Sequence, residues 1–105
     1  MWVKYDVSVG SASRNGTVFV EDNATDDEIR IAIMEDMYYI NYKKVDEDDQ
    51  IRIDYEIGVG GGCRNGSTYV SKGATDDDIK LQLSHCMYYF EYEVEKEESD
   101  FKEDE

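Results

Sequence analysis

Residues 2–9 alternate Val3, Tyr5, Val7 and Val9 with Trp2, Lys4, Asp6 and Ser8, the period-two pattern of a strand buried on one face. Ile51, Ile53, Tyr55, Ile57 and Val59 alternate with Arg52, Asp54, Glu56 and Gly58 in the same way. A loop of small residues follows each run, Gly10-Ser11-Ala12-Ser13 and Gly60-Gly61-Gly62-Cys63. Each loop leads into Arg-Asn-Gly, at Arg14-Asn15-Gly16 and Arg64-Asn65-Gly66. Asn-Gly tolerates positive φ and predicts the hairpin turn there, with Thr17–Val20 and Ser67–Val70 returning antiparallel.

Thr25-Asp26-Asp27-Glu28 then has the capping-box pattern, and Thr75-Asp76-Asp77-Asp78 keeps the Thr cap and the acidic first turn. Ile29, Ile33 and Met37 recur at helical spacing, as do Ile79, Leu83 and Met87. The stretches Ile29–Ile33 and Ile79–Leu83 also alternate like strands, but the cap recurs in both copies and decides for helices over about 26–38 and 76–88. Ile31 and Leu81 then form a second apolar ridge, which predicts a second contact, with the other repeat or with a second copy in a homodimer. Ile40 and Tyr42, and Phe90, Tyr92 and Val94, read as third strands.

The chain is therefore a duplication with unbroken spacing, its shared motif residues recurring fifty positions on. The expected fold class is α+β: a strand-strand-helix-strand unit made twice, closing as an antiparallel sheet with both helices on one face. A lone unit of this size is marginal, which predicts a single domain over 1–96 built from repeats 1–46 and 51–96, with an acidic flexible tail over 97–105.

Charge changes the picture more than composition does. The 105 residues carry a formal net charge of -15. Residues 1–50 hold five Lys/Arg against twelve Asp/Glu, and 51–105 hold six against fourteen, so the acidity belongs to the repeat. Such a field disfavours direct nucleic-acid binding and anionic membrane, and favours a basic protein partner. Nine Tyr, three Phe and one Trp argue against wholesale disorder. No signal peptide or long apolar run is present, which places the chain by default in the cytoplasm. Cys63 matches Ser13 and Cys86 matches Asp36, so the repeat requires neither thiol, and free thiols are expected.

Candidate chemistry is sparse. His85 is the only histidine and matches Glu35, which argues against a Cys-His dyad with Cys86. The carboxylates lack the apolar surroundings that acid-base work uses, and no enzyme activity is expected. Asp46-Glu47-Asp48-Asp49 lacks the alternating ligands and central Gly of a calcium loop, so no metal site and no cofactor is expected. The glycines at 60–62 lead into a strand and not into a helix N-terminus, and a flexible hairpin is preferred to a phosphate cradle. Arg14 and Arg64 either anchor an anion or pair with an acid of the same sheet. Of the Tyr pairs, the exposed members, taken as Tyr38 and Tyr88, would suit an interface.

Once helix-start acids are set aside, the acidic surface reduces to Asp46, Glu47, Asp48, Asp49, Asp54, Glu56, Glu91, Glu93, Glu95 and the tail. Alternate strand residues lie about 6.8 Å apart, whereas duplex DNA presents a charge per about 1.7 Å. Matching a duplex therefore needs several acidic strands side by side.

With Gly62-Cys63-Arg64 and Gly73-Ala74-Thr75-Asp76-Asp77-Asp78-Ile79 in view, each repeat resembles small phage-encoded modules of unknown function that combine a Gly- and Cys-containing hairpin with an acidic helix start and an aromatic end. Repeat one departs at the loop, with Ser11-Ala12-Ser13 for Gly61-Gly62-Cys63. The resemblance implies a bacterial host cytosol and the general character of anti-CRISPR and other anti-defence inhibitors. The expected function is a non-enzymatic inhibitor of a host nucleic-acid-handling defence system, such as a CRISPR effector nuclease, with nucleic-acid mimicry as one route. The alternatives are a binder that sequesters an anionic signalling nucleotide between Arg14, Arg64 and the tyrosines, and a self-associating phage accessory protein.

Overall fold

A computed structural model describes residues 1–95, and the tail expected over 97–105 lies outside them. Six strands and two helices follow in the order β1 (Trp2–Ser8), β2 (Ser13–Phe19), α1 (Asp26–Met34), β3 (Tyr39–Asp46), β4 (Gln50–Gly58), β5 (Cys63–Ser71), α2 (Asp76–Ser84) and β6 (Tyr89–Val94). The duplicated strand-strand-helix-strand unit and the α+β class are as the pattern predicts.

The sheet is not single. Two antiparallel three-stranded sheets form, ordered β2-β1-β6 and β3-β4-β5. Each repeat gives its third strand to the other: β3 of the first pairs with β4, and β6 of the second pairs with β1. The tyrosine pairs Tyr5↔Tyr92 and Tyr42↔Tyr55 mark the equivalent registers. Periodicity cannot foresee this exchange, because β1 and β4 carry the same apolar pattern and either would bury the same face of either third strand.

One cluster of buried residues runs through both repeats, from Val3, Tyr5 and Val7 through Ile33 and Ile53 to Ile57, Ile79 and Leu83. The helices meet across the centre, the middle of each near the end of the other: Arg30 Nε donates to Ser84 Oγ at 2.9 Å, and Lys80 Nζ meets Glu35 Oε2 at 2.9 Å. The buried Ser84 hydroxyl also donates to the Leu81 carbonyl, and the Arg30 guanidinium lies 4.2 Å from the centre of the Phe90 ring. Ile31 and Leu81 are half-buried.

Both helices start with the complete box. Glu28 N–H donates to Thr25 Oγ1 and Thr25 N–H to Glu28 Oε1; Asp78 does the same with Thr75. Both end four residues earlier than periodicity predicts. Asp36, Met37 and Cys86 N–H bond to carbonyls three residues back, which tightens the last turn and releases the chain toward the other sheet.

The hairpin turns also move. Each lies at the small residues, Val9–Ala12 and Val59–Gly62, where Gly10 and Gly60 take φ of 101° and 107°. Asn15-Gly16 and Asn65-Gly66 sit inside β2 and β5. Their glycines serve a different need: Gly16 faces Tyr5 and Gly66 faces Tyr55, and a Cβ there would stand 3.0 Å and 2.9 Å from the tyrosine oxygens. The glycine-rich loop is explained the same way. A Cβ on Gly62 would lie 2.5 Å from Ser11 Oγ, because the two hairpin loops touch each other.

Candidate functional site

The inner faces of the sheets carry mostly repeated residues, whereas several positions of the outer faces differ in charge between the repeats. On the inner side Arg14 Nε donates to Tyr5 Oη at 3.2 Å, and that hydroxyl donates to Asp36 Oδ2 at 2.5 Å. Burial, then the bond to Asp36, pushes the Tyr5 hydroxyl up from its ordinary value. Arg14 is thereby engaged inside the fold at the edge of β2, whereas Arg64 is exposed. In the second repeat Cys86 stands where Asp36 stands in the first, and burial is the main cause raising Tyr55.

Tyr42 of β3 donates to Asp76 at the start of α2, and Tyr92 of β6 donates to Asp26 at the start of α1. Each exchanged strand is thus tied to the helix covering the sheet it joins. The bond to Asp76, then burial, pushes Tyr42 up to about 12. Burial, then the bond to Asp26, brings Tyr92 to about 12.

The outer face of the β3-β4-β5 sheet is largely neutralised from within. Arg52 Nε donates to Asp54 at 3.0 Å and its Nη1 to Glu47 at 2.9 Å, while Ser67 donates to Asp54 at 2.7 Å. Arg52 and then Ser67 hold the Asp54 carboxyl below the usual range. Tyr39 Oη donates to Glu56 at 2.7 Å, which raises the phenol, and Lys43 faces Asp54 across the strands. Two cations, Arg52 and Lys43, thus stand among three carboxylates, Glu47, Asp54 and Glu56.

The outer face of the β2-β1-β6 sheet is built from the equivalent positions and has the opposite character. Asp6 pairs in register with Glu91, and Lys4 with Glu93. Glu95 follows on the same side and approaches Lys4 at 3.4 Å. Among the described residues Lys4 is the single cation there against Asp6, Glu91, Glu93 and Glu95. At the end of the face Trp2 and Phe19 are strand partners, 49% and 63% exposed, with ring centres 5.0 Å apart and edge to face.

The acidic residues singled out from sequence therefore divide three ways. Glu91, Glu93 and Glu95 share one face with Asp6. Asp54 and Glu56 lie on the other sheet beside cations. Asp48 and Asp49 form the exposed tip of the β3–β4 hairpin, where Asp46 pairs with Lys72 and Glu47 with Arg52. Tyr38 and Tyr88 are both 68% exposed, as an interface role would need, and Tyr88 lies over Gly10. His85 caps α2 and is exposed, with Nδ1 3.5 Å from Arg30 Nη2. Both cysteines are free thiols. Among the described residues no three His, Cys, Asp or Glu side chains gather as metal ligands, and no helix is long and apolar enough to cross a membrane.

Sequence reasoning missed Asp6, Trp2 and Phe19 as members of a site. The signal was present, since the alternation already put Trp2 on the polar side of the first strand. No protein-family model, curated protein or solved structure matches the chain.

Proposed function

We propose that this protein is a non-enzymatic inhibitor that binds a basic surface on a nucleic-acid-handling protein. A host defence nuclease is the target that the resemblance to small phage modules implies. The observation that carries the proposal is the acidic outer face of the β2-β1-β6 sheet, where among the described residues four carboxylates stand against Lys4 alone. Glu91 to Glu95 span about 14 Å of strand, so this face offers roughly one net negative charge per 4–5 Å. That is well below a duplex, at one per about 1.7 Å, and close to one nucleic-acid strand, at one per about 3.4 Å. Mimicry on this face is therefore of a single strand.

Binding to a purified effector with a basic nucleic-acid channel tests the proposal. Affinity should fall steeply between low and physiological salt, and single-stranded DNA or RNA should compete better than duplex. Salt-independent binding, or binding undisturbed by saturating nucleic acid, would contradict it.

A further inference from the structure

We infer that the outer face of the β2-β1-β6 sheet docks an arginine-bearing segment of a partner protein, with the guanidinium stacked on Trp2 beside Phe19 and paired with the carboxylates of β1 and β6. This rests on the proposed basic partner and goes beyond it by naming the face, the anchor and the recognised side chain.

The argument comes from comparing two faces of one scaffold. On the β3-β4-β5 sheet the position equivalent to Trp2 is Arg52, its strand partner is Tyr69 in place of Phe19, and its guanidinium is bound by Asp54 and Glu47. There the chain supplies its own arginine, next to an aromatic ring and between carboxylates. On the β2-β1-β6 sheet that arginine is replaced by Trp2, Lys43 is replaced by Glu93, and Asn41 by Glu91. An aromatic partner stays as Phe19 and an acid stays at Asp6 in place of Glu56, while Asp54 gives way to Lys4 and the other carboxylates now come from β6 at Glu91, Glu93 and Glu95. Among the described residues of the face Lys4 is the one cation left against them.

The aromatic pair is not a requirement of the fold, because the equivalent pair Arg52 and Tyr69 closes the same strand end without two apolar rings. A single exposed ring is ordinary. Two rings in contact, each about half exposed or more and bordered by acids, have the composition of an interface anchor. Charge complementarity selects a basic occupant. The planar guanidinium selects arginine over lysine, since it can stack on indole and pair with a carboxylate together. Arg30 against Phe90 shows the same contact inside this chain.

Trp2 is the only tryptophan, so its indole N–H gives one resolved reporter. An isotope-labelled full-length chain is titrated with a short oligoarginine peptide and, separately, with oligolysine of equal length, at low salt. Amide and indole shifts should concentrate on Trp2, Lys4, Asp6, Phe19, Glu91 and Glu93, with oligoarginine binding several-fold tighter. Replacing Glu91→Asn and Glu93→Lys, the residues the scaffold already carries at 41 and 43, should weaken binding at least tenfold while shifts outside the face stay in place. Trp2→Ala alone should remove most of the preference for arginine.

Shifts centred on Asp48 and Asp49 or on the β3-β4-β5 sheet, or equal binding of the two peptides, would overturn this inference and leave the basic-partner proposal standing. Absence of binding by either peptide would overturn both.

Discussion

The side chains that matter most to the fold are small. Gly16 and Gly66 read as turn formers because each follows Asn, yet each leaves room for a tyrosine crossing from the neighbouring strand. Tyr5 is 3% exposed and held by Asp36 and Arg14, so it cannot yield to an added methyl group. Gly16→Ala is expected to destabilise by about 1–3 kcal/mol as overpacking, measured by urea unfolding. No loss, or a gain from the better strand propensity of Ala, would contradict this account of the glycine. The Asn-Gly signal misled because local turn chemistry and cross-strand crowding both select glycine, and only the second depends on which residue lies opposite.

Tyr42 and Tyr92 give a pH prediction at the same scale. Both hydroxyls have folded values near 12, above the ordinary tyrosine value. The folded state therefore holds the proton more tightly, and this part of the stability is complete below about pH 10 and lost as pH rises toward 12. Urea midpoints should fall over that window, and less steeply in Tyr42→Phe and Tyr92→Phe. Equal slopes in wild type and both variants would show that the bonds to Asp76 and Asp26 do not set the shift.

Among the elements, the helix starts were legible because capping is local: Thr25 and Thr75 do what a Thr three residues before an acid does anywhere. Thr25→Ala and Thr75→Ala should each cost about 1 kcal/mol. In the double variant the losses should add within about 0.5 kcal/mol, as read by thermal denaturation. A loss from only one would mean that the two helices are not equivalent. The helix ends were less legible, since Met37 and Met87 continue the apolar period after the backbone has tightened out of the helix. The hairpin partners β1–β2 and β4–β5 were legible, but the partners of the third strands were not. Apolar alternation names the buried face of β3 and β6 but says nothing about which of two matching edges receives them.

For the whole molecule that choice of edge has a functional consequence. Had each third strand stayed with its own repeat, Asn41, Lys43 and Val45 would lie beside β1, and Glu91, Glu93 and Glu95 beside β4. Exchange instead brings the three glutamates beside Asp6 and next to the Trp2–Phe19 pair. The acidic aromatic face is thus assembled from both repeats, which is why a list of acidic residues in sequence order joined positions that the fold separates. The net charge of -15 also opposes compaction, and raising salt from near zero to ~0.15 M should raise the melting temperature by screening. A melting temperature unchanged by salt would mean that the charges are already compensated within the fold.

The strand exchange is the central claim, and thiol cross-linking tests it most directly. In a Cys63→Ser, Cys86→Ser background, Asp6→Cys with Glu91→Cys places two thiols on directly opposed residues of β1 and β6. Asp6→Cys with Asn41→Cys places them on strands of different sheets. A short bis-thiol reagent should close the first pair within one chain and leave the second open. Closure of the 6–41 pair in preference to the 6–91 pair would return each third strand to its own repeat and take apart the acidic face.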